Sequence, residues 1–184
     1  MGEAPGAVPA EVTIDDLLVR ARTRMSSGDP AGALETVEAI LASDRGCAEA
    51  HLIAARVHAD AGDYERAFAS ATQALAINPL LAGARYVLGL IYQRQGDVVR
   101  AVGELKKTIY VDPEFALAHL NMGNIYKTQG KYEQACRQYE NALGALRKDP
   151  DGPWTQYLGG WQADVVLRTC ERSLIECRKA LGTA

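Results

Sequence analysis

Residues 82–115, AGARYVLGLIYQRQGDVVRAVGELKKTIYVDPEF, decide the fold of this chain. Apolar residues recur at helical spacing on both sides of Gly96, which predicts two antiparallel helices, over 82–95 and 97–111, broken at that glycine. The same phrasing returns up and down the chain. Glycines stand at 28, 62, 96 and 130, each 34 residues after the last, and alanines at 33, 67, 101 and 135 keep the same step. Two independent positions holding phase through four copies define a repeat, and a period of this length reads as stacked supersecondary units. Asp29, Asp63 and Asp97 follow turn glycines and read as N-cap acceptors, with Pro30 at the first helical position after Asp29. Pro79 and Pro113 read as stops for the preceding helices that can open the next.

The content of the period resembles the tetratricopeptide repeat (TPR), in which W-x2-L-G-x2-Y is followed by A-x3-F and then P. The third copy carries Arg85, Leu88, Gly89, Tyr92, Ala101, Leu105 and Pro113, and the fourth carries His119, Met122, Gly123, Tyr126, Ala135 and Tyr139. The second is softer, with His51, Ala54, Ala55, His58, Ala67, Ala71 and Pro79. The first keeps Leu17, Ala21, Ala33 and Val37 but places Arg20 and Arg24 where apolar groups are usual, as suits an end unit with no neighbour on one face. The resemblance implies an all-α, right-handed α-solenoid of four helix hairpins, with units 14–47, 48–81, 82–115 and 116–149. Gly89, Gly123, Ala101 and Ala135 fall at the helix crossings, where close axes leave no room for long side chains.

Outside the repeats, residues 1–13 form a lead-in with Pro5 and Pro9 that is expected to be flexible. Residues 150–161, PDGPWTQYLGGW, form a punctuated connection, and 162–184 read as a capping helix. In that helix Ala163, Leu167, Cys170, Leu174, Cys177 and Leu181 make one apolar stripe, which either packs on the open face of the fourth repeat or forms a homodimer seam. Trp154, Tyr157 and Trp161 anchor that turn or form an exposed recognition patch, the anchor being the preferred reading.

Composition narrows the function. Of the 184 residues 48% are hydrophobic and 23% charged, the balance of a globular chain, and the formal charge of −3 lacks the basic field that nucleic-acid binding uses. No stretch has the length of a membrane span, and the start MGEAPGAVPA has no secretory signal pattern, so the expected location is cytoplasmic, without membrane insertion. The four cysteines, Cys47, Cys136, Cys170 and Cys177, match no metal or redox spacing and read as apolar fillers. His51, His58 and His119 occupy repeat positions and read as packing groups. No phosphate loop, nucleophile elbow or paired-histidine motif is present, so no catalysis, metal or cofactor is expected of the chain.

Stacked hairpins supply a curved surface lined by the first helix of each unit. The groove candidates on it are Arg22, Leu52, Arg56, Tyr86, Leu90, Gln93, Asn121, Asn124 and Lys127. Their order, cationic then apolar then polar, suits a peptide with a hydrophobic anchor and an acidic group. TPR domains that clamp a C-terminal carboxylate use a lysine at the fifth position of the unit; here that position is Leu18, Leu52, Tyr86 and Leu120, which argues against such a clamp.

A narrower likeness runs over 78–146. LGLIYQRQGD, Tyr110-Val111-Asp112-Pro113 followed by Phe115, Ala118-His119, Gly123-Asn124 and Tyr139-Glu140-Asn141-Ala142-Leu143 are similar to the TPR segment of CheR-type chemotaxis receptor methyltransferases. The resemblance implies a regulatory docking piece, with methyl transfer performed by a catalytic domain that no part of this sequence matches. Its partners would be that domain or another signalling protein. The alternative is an independent TPR adaptor or assembly factor.

Overall fold

A computed structural model describes residues 12–158 and 162–182. Every regular element among the described residues is helical: α1 (Ile14–Ser26), α2 (Pro30–Ser43), α3 (Ala48–Asp60), α4 (Tyr64–Ile77), α5 (Ala82–Arg94), α6 (Val98–Val111), α7 (Ala116–Thr128), α8 (Tyr132–Lys148), a 3-10 turn (Pro153–Tyr157) and α9 (Ala163–Ala180). The chain is an all-α solenoid. Successive helices pair into hairpins, each hairpin packs on the next, and α9 lies along α8. The expected lead-in falls almost wholly on residues 1–11, outside the described residues, as does Trp161.

Local chemistry sets the hairpins. Gly28, Gly62, Gly96 and Gly130 all adopt φ between 71 and 80°, a left-handed conformation in which a side chain is strained, and this turns the chain out of each odd helix. Asp29, Asp63 and Asp97 then accept from the backbone N–H three residues on, at 2.9, 3.1 and 2.9 Å, satisfying an orphan donor of the even helix. Pro79 and Pro113 follow the ends of α4 and α6, but α5 and α7 start three residues later, at Ala82 and Ala116, so neither proline opens a helix. Asn78 and Asp112 instead shape these corners by accepting from the N–H two residues on. Arg24, out of pattern in the first unit, donates to the Gly32 carbonyl at 2.7 Å and to Thr36 Oγ1 at 3.2 Å, tying α1 to α2 with polar bonds where later units use apolar contacts.

Residues one period apart occupy equivalent places. Ala33, Ala67, Ala101 and Ala135 are all fully buried. The crossings keep at least one partner small: Gly89 meets Leu105 and Gly123 meets Tyr139, while Ala21 with Val37 and Ala55 with Ala71 share the clusters of the earlier units. The core is correspondingly staggered, with one cluster for the first two hairpins, one between the second and third, and a larger one from Tyr86 to Cys177. In α9 the buried set is Val166, Cys170, Ser173, Leu174 and Cys177. Leu181 lies past the helix end and is exposed, because the stripe drifts off α8 there. The homodimer seam read on this stripe is therefore covered within the chain by α8.

A methyl group on Gly123 would fall 2.7 Å from the Tyr139 ring, whereas one on Gly144, on the exposed side of α8, meets nothing within 4 Å. Gly123→Ala should therefore destabilise by about 1–3 kcal/mol through overpacking. Gly144→Ala should stabilise by about 0.5–1 kcal/mol through helix propensity. Urea midpoints of the two variants check the pair.

Candidate interaction groove

The odd helices line one face, since α1 touches α3 and α3 touches α5 across the even helices. That face is already filled in its middle. After α8 the chain turns back, and its residues 149–158, here called the arm, lie across α3, α5 and α7. Trp154 is buried in the C-terminal cluster, where Gly152 makes room for it: a methyl at that glycine would sit 2.6 Å from the indole Nε1. Tyr157 is the part of the arm that reaches the groove floor. Its ring stands 5.4 Å from those of both Tyr86 and Phe115, and the Arg56 guanidinium covers it at 4.5 Å. Its hydroxyl occupies the space that a side chain at position 83 would take, a methyl on Gly83 falling 1.7 Å from the phenolic oxygen. Arg56 also donates to the Gln156 backbone carbonyl, and at 3.2 Å to Gln156 Oε1.

This changes the role of several groove candidates. Leu52, Arg56 and Tyr86 are buried, Tyr86 to 3% exposure, because the arm and the neighbouring hairpins cover them; they are not an open floor. Asn121 donates to Tyr86 Oη at 2.9 Å and Asn124 accepts from Tyr139 Oη at 2.8 Å, so both fix aromatic positions. Lys127 pairs with Glu176 and ties α7 to α9. Arg22 is exposed, and Leu90 and Gln93 are half-buried, so these three keep an accessible part of the face. Arg22 lines a cleft of about 230 Å³ beside Glu49, Arg56, Asp112, Phe115 and Gln156, and Leu90 lines another of about 370 Å³ with Asp60, Tyr64 and Arg94.

Electrostatics at the floor follow from burial. Desolvation works against the Arg56 charge, with Tyr157 and Asp60 offsetting it and Arg22 adding to it, while burial likewise raises the Asp60 carboxyl. No carboxylate among the described residues lies within ion-pair distance of Arg56 or Arg22. Burial pushes the Tyr157 phenol up to about 12 and raises the Tyr86 phenol as well. Elsewhere, His119 uses both ring nitrogens, on Gln138 Oε1 at 2.8 Å and the Pro113 carbonyl at 3.0 Å, which is a packing role. All four cysteines are buried and free. Among the described residues, no three His, Cys, Asp or Glu side chains come together as a metal site would require, and no helix is long and apolar enough to cross a membrane.

A helical solenoid whose concave face holds a peptide segment through one buried arginine and an aromatic floor is a protein-interaction domain in class. The tetratricopeptide-repeat profile matches residues 18–82 and 54–113, and a second profile of the same repeat matches 118–153. The chain belongs to the tetratricopeptide repeat family. Among solved structures, MamA is 27% identical, with 78% of this chain and 84% of that chain covered and a TM-score of 0.63. TTC0263, a TPR protein of Thermus thermophilus, is 20% identical over 92% of this chain and 99% of its own, also at 0.63. An O-GlcNAc transferase of Thermobaculum terrenum aligns over 78% of this chain and only 28% of its own length, at 24% identity and a TM-score of 0.63. No curated protein matches the chain.

Tyr139 is likewise pushed up to about 12 from the ordinary 10.0, by burial first. A phenol that holds its proton more tightly when folded contributes stability that is complete below its unfolded value and is lost as pH rises through the folded one. The urea midpoint should therefore be level up to pH about 8 and fall between about 9 and 12, the buried Cys170 thiol, also pushed up to about 12, adding to the phenols; Tyr157→Phe should remove part of the slope.

Proposed function

We propose that this chain is a non-catalytic docking domain that binds a protein or peptide segment through its concave face. The observation that carries the reading is the arm: the face holds a short turn of polypeptide by an aromatic side chain and a backbone carbonyl, the contacts a bound peptide would use. The accessible candidates Arg22, Leu90 and Gln93 add to that surface, Arg22 in the cleft beside the arm and Leu90 in a second cleft. The free, buried thiols suit a reducing compartment and with it a cytoplasmic setting.

The narrower affiliation, as the docking part of a chemotaxis-type receptor methyltransferase, is supported by the phrases within 78–146 alone. The likeness to MamA, over 84% of that chain, supports instead the reading as a TPR adaptor or assembly factor. Reading the native gene upstream of the Met1 codon separates the two: a methyltransferase domain in the same frame selects the first.

The concave-face reading is tested by recovering a partner from native extract on the immobilised chain and repeating the capture with two variants. Arg22→Glu combined with Gln93→Glu should reduce retention at least about tenfold, since Arg22 lines the cleft beside the arm, Gln93 is only half-buried, and neither side chain makes a hydrogen bond or ion pair among the described residues. Val99→Asp, on an exposed site of α6, should leave it unchanged. The reverse pattern would move the interface to the even helices.

A further inference from the structure

Tyr157 and Gln156 are held unequally well. The ring is enclosed by Tyr86, Phe115, Arg56 and the bare backbone of Gly83, a seat shaped for an aromatic group. At Gln156 the match is poorer: Arg56 is a buried cation, yet both of its acceptors there, the backbone carbonyl and Oε1, are neutral. A carboxylate oxygen in place of Oε1 would make a charge-assisted bond, about twice as strong as the neutral one. Arg22 stands exposed at the same mouth as a second cation without an ion-pair partner among the described residues. Glu49 and Asp112 line the same cleft and Asp60 lies near Arg56, so the mouth is not broadly cationic and would repel a polyanion. What it lacks is one carboxylate at one place.

We infer that the arm is a built-in competitor for this groove, and that the external ligand is a partner segment with an acidic residue directly before an aromatic one, seated as Gln156 and Tyr157 are. This inference rests on the concave-face reading and names the ligand class for it. A tethered arm acts at an effective concentration on the order of millimolar, so a segment with the same contacts cannot displace it at ordinary protein levels. The carboxylate supplies the difference, and the neutral glutamine makes the arm displaceable while keeping the aromatic seat filled when no partner is present.

The probes are two labelled, capped octapeptides, GSTQYLGS and GSTEYLGS, titrated by anisotropy into the full chain. Tyr157→Ala, which empties the seat, should bind the glutamate peptide at least about tenfold more tightly than the unaltered chain does. It should prefer that peptide over the glutamine one by about three- to tenfold. Adding Arg56→Gln should abolish the preference. Gln156→Glu, which keeps the arm's packing, should strengthen the arm and weaken the glutamate peptide below its affinity for the unaltered chain, so the idea stays open to refutation even if Tyr157→Ala unfolds. Equal binding of the two peptides, or equal affinity with and without Tyr157, overturns the inference. So does a dimer in light scattering that Tyr157→Ala dissolves, which would mean that the seat is filled by a second copy. If the peptides fail while partner capture still depends on Arg22 and Gln93, the ligand class falls and the concave-face reading stands; if capture is indifferent as well, both fall.

Discussion

The constraint on which the structure depends is the close approach of two helix backbones once per hairpin. Where axes come this near, one of the two facing side chains must be glycine or alanine, and the chain meets that demand differently in each unit: glycine against tyrosine, glycine against leucine, alanine with valine, alanine with alanine. One small partner per crossing lets the other vary without altering the stack. The soft second unit and the aromatic-rich fourth thus share one geometry although their cores differ in volume.

That constraint also explains why the fold is legible in the sequence. It repeats, so it writes itself into the chain as a period, and the turn glycines and capping aspartates that serve it sit a few residues away. Helix boundaries expected at 82–95 and 97–111 fall within a residue of α5 and α6. The local rules fail where a pattern is extended too far: Pro79 and Pro113 end one helix without starting the next, and the α9 stripe drifts away from Leu181 and takes in Val166 and Ser173. Arg24 departs from the pattern without failing, since polar bonds to Gly32 and Thr36 do what apolar contact does elsewhere.

The groove is legible only in part. Periodicity identifies which side chains face inward but is blind to what else lies there, and the arm reaches the floor through a pairing of residues 100 positions apart. Arg56 and Tyr86 read as open floor for that reason, and Lys127 as a free donor although α9 claims it. One signal is present. At the second position of the unit, where the other copies carry Asp15, Glu49 and Leu117, the third has Gly83, and a missing side chain on an inward face is room reserved for something else. The tyrosine that uses it comes from a stretch with no period to index it.

The apolar clusters are strung in series, and they are unequal. The first contains no aromatic residue, while the last gathers Tyr86, Phe115, Tyr139 and Trp154 and is clasped by α9. A rod built this way has a loose end and a moored end. Under tension or thermal agitation it would peel from Ile14 hairpin by hairpin, each loss exposing only the next seam, and the peeling front would stall where Tyr157 bridges α3 to α7. The arm is thus a mooring line as well as an occupant: casting it off frees the surface and in the same motion lets the unzipping run further.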